Sequence, residues 1–323
     1  MNGEEFEIID AHIHLHRNVA QEKQSFPIPG RRDRDRWGNP ESIIAYMDRE
    51  GISKVVSLNL FPTEPMRRFL LSRIPAEDRE KDPEAAKQQV EKELATRLRR
   101  HNEWLCNVSK ENPRIVAGIG LQKLLTPQEM VEEVELRASQ GAKTVKLIPG
   151  MYKHYPNDHA FWPMYEKCQE IGMPITPDSG TLGAREPGEN IYYGQPINFI
   201  EVLESFPRLT LVMCHLASAF WDERVEMAQR YPNLCFDISG SFNQPPGGER
   251  IREPLIARDA HRACAEEDAV RIMRKVGIER IVWGTDGPAA MARPRIEQIL
   301  RLDLTDEEKR MILAENAKRI YKI

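Results

Sequence analysis

The chain has 323 residues, 41% hydrophobic and 30% charged, with 46 Lys and Arg against 50 Asp and Glu and a formal net charge of -4. Such a balance gives no general attraction to nucleic acid or to an anionic membrane surface, and the length suits one α/β barrel domain over residues 1–323. The five cysteines, Cys106, Cys168, Cys214, Cys235 and Cys264, form no Cys-x-x-Cys pair and read as reduced thiols. With no basic-then-apolar leader and no run of membrane-spanning length, a cytoplasmic location is expected.

Short β-rich runs alternate with helical stretches along the chain, as in a parallel sheet built from βα units. The first strand is expected over 6–12. A loop follows in which Arg31, Arg32, Arg34 and Arg36 interleave with Asp33 and Asp35 and end on Trp37, then a helix over 40–50. A second strand, 54–60, is separated from the third, 115–121, by a stretch in which 83–110 reads as a long charged helix inserted over the barrel mouth. Strands over 144–148, 174–178, 210–215 and 234–238 follow, with helices over 127–139, 161–171, 197–205 and 222–230. The Gly- and Pro-rich run 239–248, followed by Arg250, Arg252 and Arg258, is either a lid or surplus surface loop. A helix over 261–275, a strand over 280–285, a helix over 293–300, and a C-terminal helix opened by a Thr305/Glu308 capping box complete the chain. Eight such strands predict a (β/α)8 TIM barrel with a helical insertion after strand 2 and a C-terminal helix, ahead of an open doubly wound sheet.

In such a barrel the strand C-termini converge on the active site, so ionisable residues there carry weight. Residues two apart on a strand face one side, so His12 and His14 can grip one metal ion together. Lys146 lies in the fourth strand, Asp178 ends the fifth, His215 ends the sixth, and Asp286 follows the eighth in Trp283-Gly284-Thr285-Asp286. Each also fits a structural use: a hydrogen-bonded core-edge histidine, a turn-capping aspartate, a buried ion pair. Independent caps have no reason to recur at the ends of the same strands. Asp10 is expected on the inward face with His12 and His14, one step deeper, as support for the site or as a partner of Lys146. His16 is expected in the loop beyond the strand, and His101, His154, His159 and His261 at the surface. Arg36 and Trp37 are candidates to hold a substrate carboxylate and ring, set against a plain solvated loop.

The motifs Asp10-Ala11-His12-Ile13-His14, Val145-Lys146-Leu147-Ile148-Pro149, Leu211-Val212-Met213-Cys214-His215-Leu216, Trp283-Gly284-Thr285-Asp286-Gly287-Pro288 and Ala314-Glu315-Asn316-Ala317 occur in this order over nearly the whole chain. Together they resemble the amidohydrolase-related (amidohydrolase 2) family, which includes metal-dependent hydrolases, aminocarboxymuconate-semialdehyde decarboxylase and resorcylate decarboxylases. The resemblance implies that His12, His14 and Asp286 bind a catalytic metal and that His215 contacts the metal-bound water or the substrate. It also implies that Lys146 is the family's recurrent lysine. One departure stands out: Asp178 occupies the position where the family carries a histidine. As a ligand it would harden the donor set, so one divalent ion is expected, zinc, with manganese or iron as alternatives. The expected activity is hydrolysis of an ester, lactone or amide of a small organic acid through a metal-activated water, with Asp286 as base and His215 stabilising the oxyanion. Two alternatives are non-oxidative decarboxylation of an aromatic or muconate-type acid and a non-catalytic barrel that binds small acids. The partner expected is a small organic acid, not nucleic acid or membrane, in a homodimer or higher homo-oligomer.

Overall fold

The structure is a computed structural model describing residues 6–25, 30–179, 191–216, 220–242 and 266–323. Eight parallel strands pair in sequence order: β1 (Ile9–Ile13), β2 (Lys54–Leu58), β3 (Ile115–Gly120), β4 (Thr144–Leu147), β5 (Ile175–Pro177), β6 (Leu211–Met213), β7 (Leu234–Asp237) and β8 (Ile281–Val282). The chain beyond β8 returns to β1. Ala11 N donates to Trp283 O (2.9 Å), Asp286 N to His12 O (2.8 Å) and His14 N to Gly287 O (2.6 Å), and Ile13 bridges Gly287 in parallel. The result is the expected TIM barrel.

Helices α1 (Val19–Ser25) and α2 (Ile43–Glu50) follow β1, and α3 (Thr63–Arg73), α4 (Ala76–Lys81) and α5 (Pro83–Glu111) follow β2. Helix α6 (Pro127–Ser139) follows β3, α7 (Pro149–Tyr152) and α8 (Trp162–Ile171) follow β4, α9 (Ile200–Ser205) follows β5, and α10 (Trp221–Arg230) follows β6. Helix α11 (Ala269–Val276) follows β7, and α12 (Ala292–Arg301), α13 (Asp306–Arg310) and α14 (Asn316–Tyr321) follow β8. Among the described residues no helix is long and apolar enough to cross a membrane.

Strand alternation sorts the core into two parts. Outward residues such as Val55, Ile119, Val145, Ile175, Met213, Phe236 and Ile281 pack under the helices, while Ile9, Ala11, Val56, Leu58, Val116, Val212, Cys235 and Val282 fill the barrel. Ala314, Ala317, Ile320 and Tyr321 join the inner cluster and close one end of the barrel. Helix α5 buries Val90, Leu94, Leu98 and Leu105 on one stripe and packs along β3, so it lies in the outer helical layer rather than over the mouth. Its N-terminus is capped by Asp82, and the Thr305/Glu308 capping box forms as expected at α13.

The apolar runs overstate strand length most at β8. Residues beyond Val282 leave the ladder because Trp283 N donates to Ile312 O (2.9 Å) and the Asp286 and Gly287 amides turn to the His12 carbonyl. Of the glycine-rich run after β7 the structure describes residues up to 242. Arg250, Arg252, Arg258, His261 and Cys264 lie outside the described residues.

His16 lies in the loop beyond β1 as expected, while His101 and His154, expected at the surface, are half-buried. His16 is buried, 3% exposed. His101 stands on α5 beside Phe61 and Trp104 with its Nε2 buried and without a hydrogen-bond partner, and His154 packs against Phe161. Burial, helped by Arg17 for His101 and by Lys123 for His154, lowers both imidazoles from the ordinary 6.5 to about 4. Below about pH 6.5 the unfolded chain therefore binds protons that the folded chain refuses, so these two sites remove stability as pH falls toward 4 and cost nothing above that window. The urea midpoint is expected to drop between pH 7 and pH 4.5, and to drop less in His101→Gln; an equal drop in the variant would refute the assignment.

Candidate metal centre

The strand that carries the histidine pair is irregular at the position that matters. Along β1 the ladder pairs Ile9 with Lys54 and Asp10 with Val55, then resumes with Ile13 opposite Ser57, so β1 spends three residues where β2 spends two. Such a bulge re-aims side chains. Ile9 and Ala11 stay in the inner cluster, while His12 and His14 converge at the mouth with their Nε2 atoms 3.3 Å apart. Simple alternation put Asp10 with them, as support for the site or as a partner of Lys146. Its carboxylate takes the first of these places, accepting from Thr285 N (2.9 Å), Thr285 Oγ1 (2.7 Å) and His12 N (3.2 Å) and pinning the chain after β8 to β1. Burial raises the Asp10 carboxyl to about 7.

Barrel closure brings Asp286 to the pair. Its Oδ1 lies 3.2 Å from His14 Nε2 and 3.5 Å from His12 Nε2, and its side chain, 32% exposed, is the open side of the triangle. Gly284 permits the approach, since a Cβ there would stand 2.8 Å from His12 Cβ and 3.0 Å from His12 N. Asp286 and His215 both adopt left-handed backbone, φ 60° and 64°, a conformation costing a non-glycine residue roughly 1–3 kcal/mol and kept where the surroundings enforce it.

Hydrogen bonds at the far side of each ring decide what the triangle can bind. His14 Nδ1 lies 2.7 Å from the Leu58 carbonyl, which only accepts, so His14 carries its proton there. His12 Nδ1 lies 2.8 Å from Asp237 Oδ2 and 3.0 Å from Ser239 Oγ. Burial, reinforced by Lys146, lowers the His12 imidazole to about 4, so it is neutral with Nδ1 protonated toward Asp237. Two bare Nε2 lone pairs and a carboxylate oxygen then face one another, an arrangement a cation would relieve. The edges of 3.2, 3.3 and 3.5 Å match the spacing of about 3.4 Å between ligand atoms of a tetrahedral ion with bonds of about 2.1 Å. His12, His14 and Asp286 are one of two groups of potential ligands that come together among the described residues. The other, His12, Cys214 and Asp237, uses the His12 nitrogen already turned to Asp237, and Lys146 Nζ lies 3.0 Å from Cys214 Sγ.

Asp178 stands outside both groups. Its Oδ2 lies 3.5 Å from His215 Nε2, while His215 Nδ1 lies 2.9 Å from Ser239 O. A ring with a carboxylate at one nitrogen and a carbonyl at the other is favoured as imidazolium. Burial opposes that charge, but Asp178, with Asp237 and Asp286 behind it, outweighs it, and His215 is pushed up to about 9. Behind the pair Arg224, fully buried on α10, donates from Nε to Ser179 Oγ (3.1 Å) and from Nη2 to Ser179 O.

Of the three residues expected to hold substrate, Lys146 lies beneath the site, and Arg36 and Trp37 pack behind it. Lys146 is 1% exposed beneath the site; burial disfavours its ammonium, but Cys214, Asp178 and Asp237 hold its pKa above the ordinary lysine value. Arg36 is 4% exposed with Nη1 3.6 Å from Glu22, whose other oxygen accepts from Gly38 N and Asn39 Nδ2. Trp37 stacks on Tyr46 at 3.9 Å and fills the space where Gly287 has no side chain. Sequence reasoning missed Asp237 and Ser239, whose only signal was a polar residue ending the apolar run Leu234-Cys235-Phe236.

Residues 9–323 match the family model described as Amidohydrolase. No curated protein matches the chain. Among solved structures, 5-carboxyvanillate decarboxylase from Novosphingobium aromaticivorans, complexed with manganese and 4-hydroxy-3-methoxy-5-nitrobenzoic acid, is similar with TM-score 0.68 at 14% identity, over 100% of this chain and 98% of that one. The 2,6-dihydroxybenzoate decarboxylase from Rhizobium is similar with TM-score 0.63 at 15% identity, over 98% of this chain and 99% of that one. An uncharacterized TIM-barrel protein from Bordetella bronchiseptica gives TM-score 0.65 at 19% identity, over 97% and 98%. At these identities the likeness is one of fold.

If Asp237 orients His12 toward a metal, Asp237→Ala is expected to weaken divalent-metal affinity about 10–100-fold, whereas Asp178→Ala keeps the wild-type metal stoichiometry. Competition against a fluorescent chelator measures both, and loss of metal only in Asp178→Ala would reverse the assignment.

Proposed function

The chain belongs to the amidohydrolase family, and on that premise we propose that it is a metal-dependent, non-oxidative decarboxylase of a small aromatic acid. The observation that carries this reading is the His215 ring, placed between the Asp178 carboxylate and the Ser239 carbonyl, which favour its protonated form beside the triangle. Decarboxylation needs a proton delivered to carbon, and a charged imidazole supplies one. Hydrolysis, the main expectation from the sequence, takes Asp286 as base and asks the charged ring only to stabilise an oxyanion, so it uses the field of His215 but not its proton. The two decarboxylases that share this fold add support, as does the manganese in one of them.

His12, His14 and Asp286 would hold a divalent ion, and two imidazoles with one carboxylate suit zinc, manganese or iron. When bound, such an ion supplies a Lewis acid that fixes and polarises an acidic substrate. Asp237 keeps His12 in the tautomer that binds. As the ring-to-carboxylate C–C bond breaks, its electron pair takes the His215 Nε2 proton to form the new C–H bond, carbon dioxide leaves, and His215 recovers a proton from solvent. Asp178, at 3.5 Å too far for a strong hydrogen bond to that nitrogen, favours the charged ring without fixing its proton.

The test is turnover of hydroxybenzoates and carboxyvanillate-type acids by protein reconstituted with manganese or zinc. Carbon dioxide release is expected, with one deuterium from D2O at the carbon that loses the carboxylate, and His215→Asn is expected to slow it at least about 100-fold. Ester or lactone cleavage without carbon dioxide would instead restore the hydrolytic reading.

A further inference from the structure

The Asp178 and His215 pair straddles the seam between β5 and β6, where the sheet does little to fix it. That ladder registers one residue pair, Ile175 with Leu211, whereas β4 with β5 and β6 with β7 register three each. Cys214 N adds a bond to Pro177 O (3.0 Å). Past these contacts each chain turns to the strand on its far side. Asp178 N donates to Leu147 O of β4 (2.8 Å), and His215 N donates to the Asp237 carboxylate that ends β7 (3.1 Å). The 3.5 Å gap between Asp178 Oδ2 and His215 Nε2 therefore depends on something beyond the ladder.

A buried cross-tie supplies it. Ser179, at 0% exposure, donates from Oγ to Cys214 O (2.7 Å), joining the residue after Asp178 to the residue before His215. Arg224, on the buried face of α10, grips both strand ends: Nε donates to Ser179 Oγ (3.1 Å), Nη2 donates to Ser179 O, and Nη1 lies 3.5 Å from the carbonyl of Leu216, the residue after His215. The Ser179 hydroxyl serves both neighbours, since it has one proton to give and lone pairs to receive. One rigid plane of donors thus brackets the pair. Burial pushes the guanidinium down to about 10, so it is still a cation at neutral pH. A buried cation costs stability that an apolar side chain of similar size would not, which weighs against a role in packing alone.

We propose that Arg224 is a positioning residue that, through Ser179, holds the Asp178 carboxylate and the His215 ring in register for proton delivery. The inference rests on the decarboxylase reading above and assigns the geometry of its proton donor to a residue on α10. The test is steady-state decarboxylation of hydroxybenzoates and carboxyvanillate-type acids, in H2O and in D2O, by the manganese-loaded wild type, Arg224→Lys, Ser179→Ala and the double variant, with metal content measured on each. Arg224→Lys keeps the charge and loses the planar fork. Its kcat is expected to fall about 100-fold, and that of Ser179→Ala about tenfold, while KM and metal content stay as in the wild type. The solvent isotope effect on kcat is expected to rise in both, because proton delivery slows and the other steps do not. Loosening of the whole fold would reduce the active fraction and leave the isotope effect as it was. The double variant is expected to be no slower than Arg224→Lys, since both changes act through one contact. If Arg224→Lys does not fold, Ser179→Ala and its isotope effect decide. An unchanged kcat, a reduced kcat with an unchanged isotope effect, or additive losses overturn the positioning role and leave the decarboxylase reading standing. Carbon dioxide from no acid in the wild type overturns both.

Discussion

The buried Asp237 carboxylate is the constraint on which the site depends. A carboxylate at 0% exposure survives only if its lone pairs are taken up. Here Oδ2 takes His12 Nδ1, and Oδ1 accepts the backbone amides of His215 (3.1 Å) and Ser239 (2.9 Å) together with the Ser239 hydroxyl. Burial alone would raise its pKa, but the contacts, His12 foremost, hold it well below the ordinary value. One group thus sets the His12 tautomer and ties the left-handed turn at His215 to the end of β7. On the function proposed above, coordination by His12 and proton delivery by His215 would be coupled, because both residues are anchored on the same carboxylate.

Barrel closure provides the third side of the triangle. Strand β8 contributes only two ladder residues, Ile281 and Val282, and the segment 284–286 beyond it serves the site: Gly284 abuts His12, Thr285 binds Asp10, and Asp286 hangs from the His12 carbonyl. The left-handed φ at Asp286 is accompanied by contacts on its C-terminal side. Ala289 N bonds back to Asp286 O (3.2 Å), and Trp37, stacked on Tyr46, presses against Gly287. Trp37 and Arg36 therefore pack one layer behind His12, His14 and Asp286, and their rigid packing would hold the geometry of a metal site.

The strand ends were legible because each joined an apolar run to an ionisable residue, which is how His12, His14, Lys146, His215 and Asp286 came to notice. Asp237 has the same pattern, but the Gly- and Pro-rich stretch after it suits a lid and a surplus surface loop equally and gives the strand end no chemical signal of its own. The supporting place of Asp10 was legible, but strict alternation, which holds only in the absence of a bulge, also allowed it Lys146 as a partner, and nothing local in Asp10-Ala11-His12 announces a bulge. The roles of Arg36 and Trp37 depended on loop conformation, set by Glu22 sixteen positions from Gly38 and by Tyr46. His101 looked polar and helical, yet α5 is wide enough on its buried side to take it beside Phe61 and Trp104.

Asp178 is where this chain departs from the family pattern, and charge explains how an aspartate is tolerated there. The buried carboxylates of Asp178 and Asp237 and the partly exposed one of Asp286 are matched by Lys146, Arg224 and the His215 imidazolium, three against three, with the Asp10 carboxyl raised to about 7 by burial. A histidine at position 178 would leave Lys146 and Arg224 facing one carboxylate fewer in a low-dielectric interior, which is costly. The aspartate instead closes the protein's own balance without calling on an ion. On the function proposed above, the charge of a divalent ion at His12, His14 and Asp286 is then left for an incoming acid to neutralise, so the same substitution that withdraws a ligand from the metal reserves its field for the substrate.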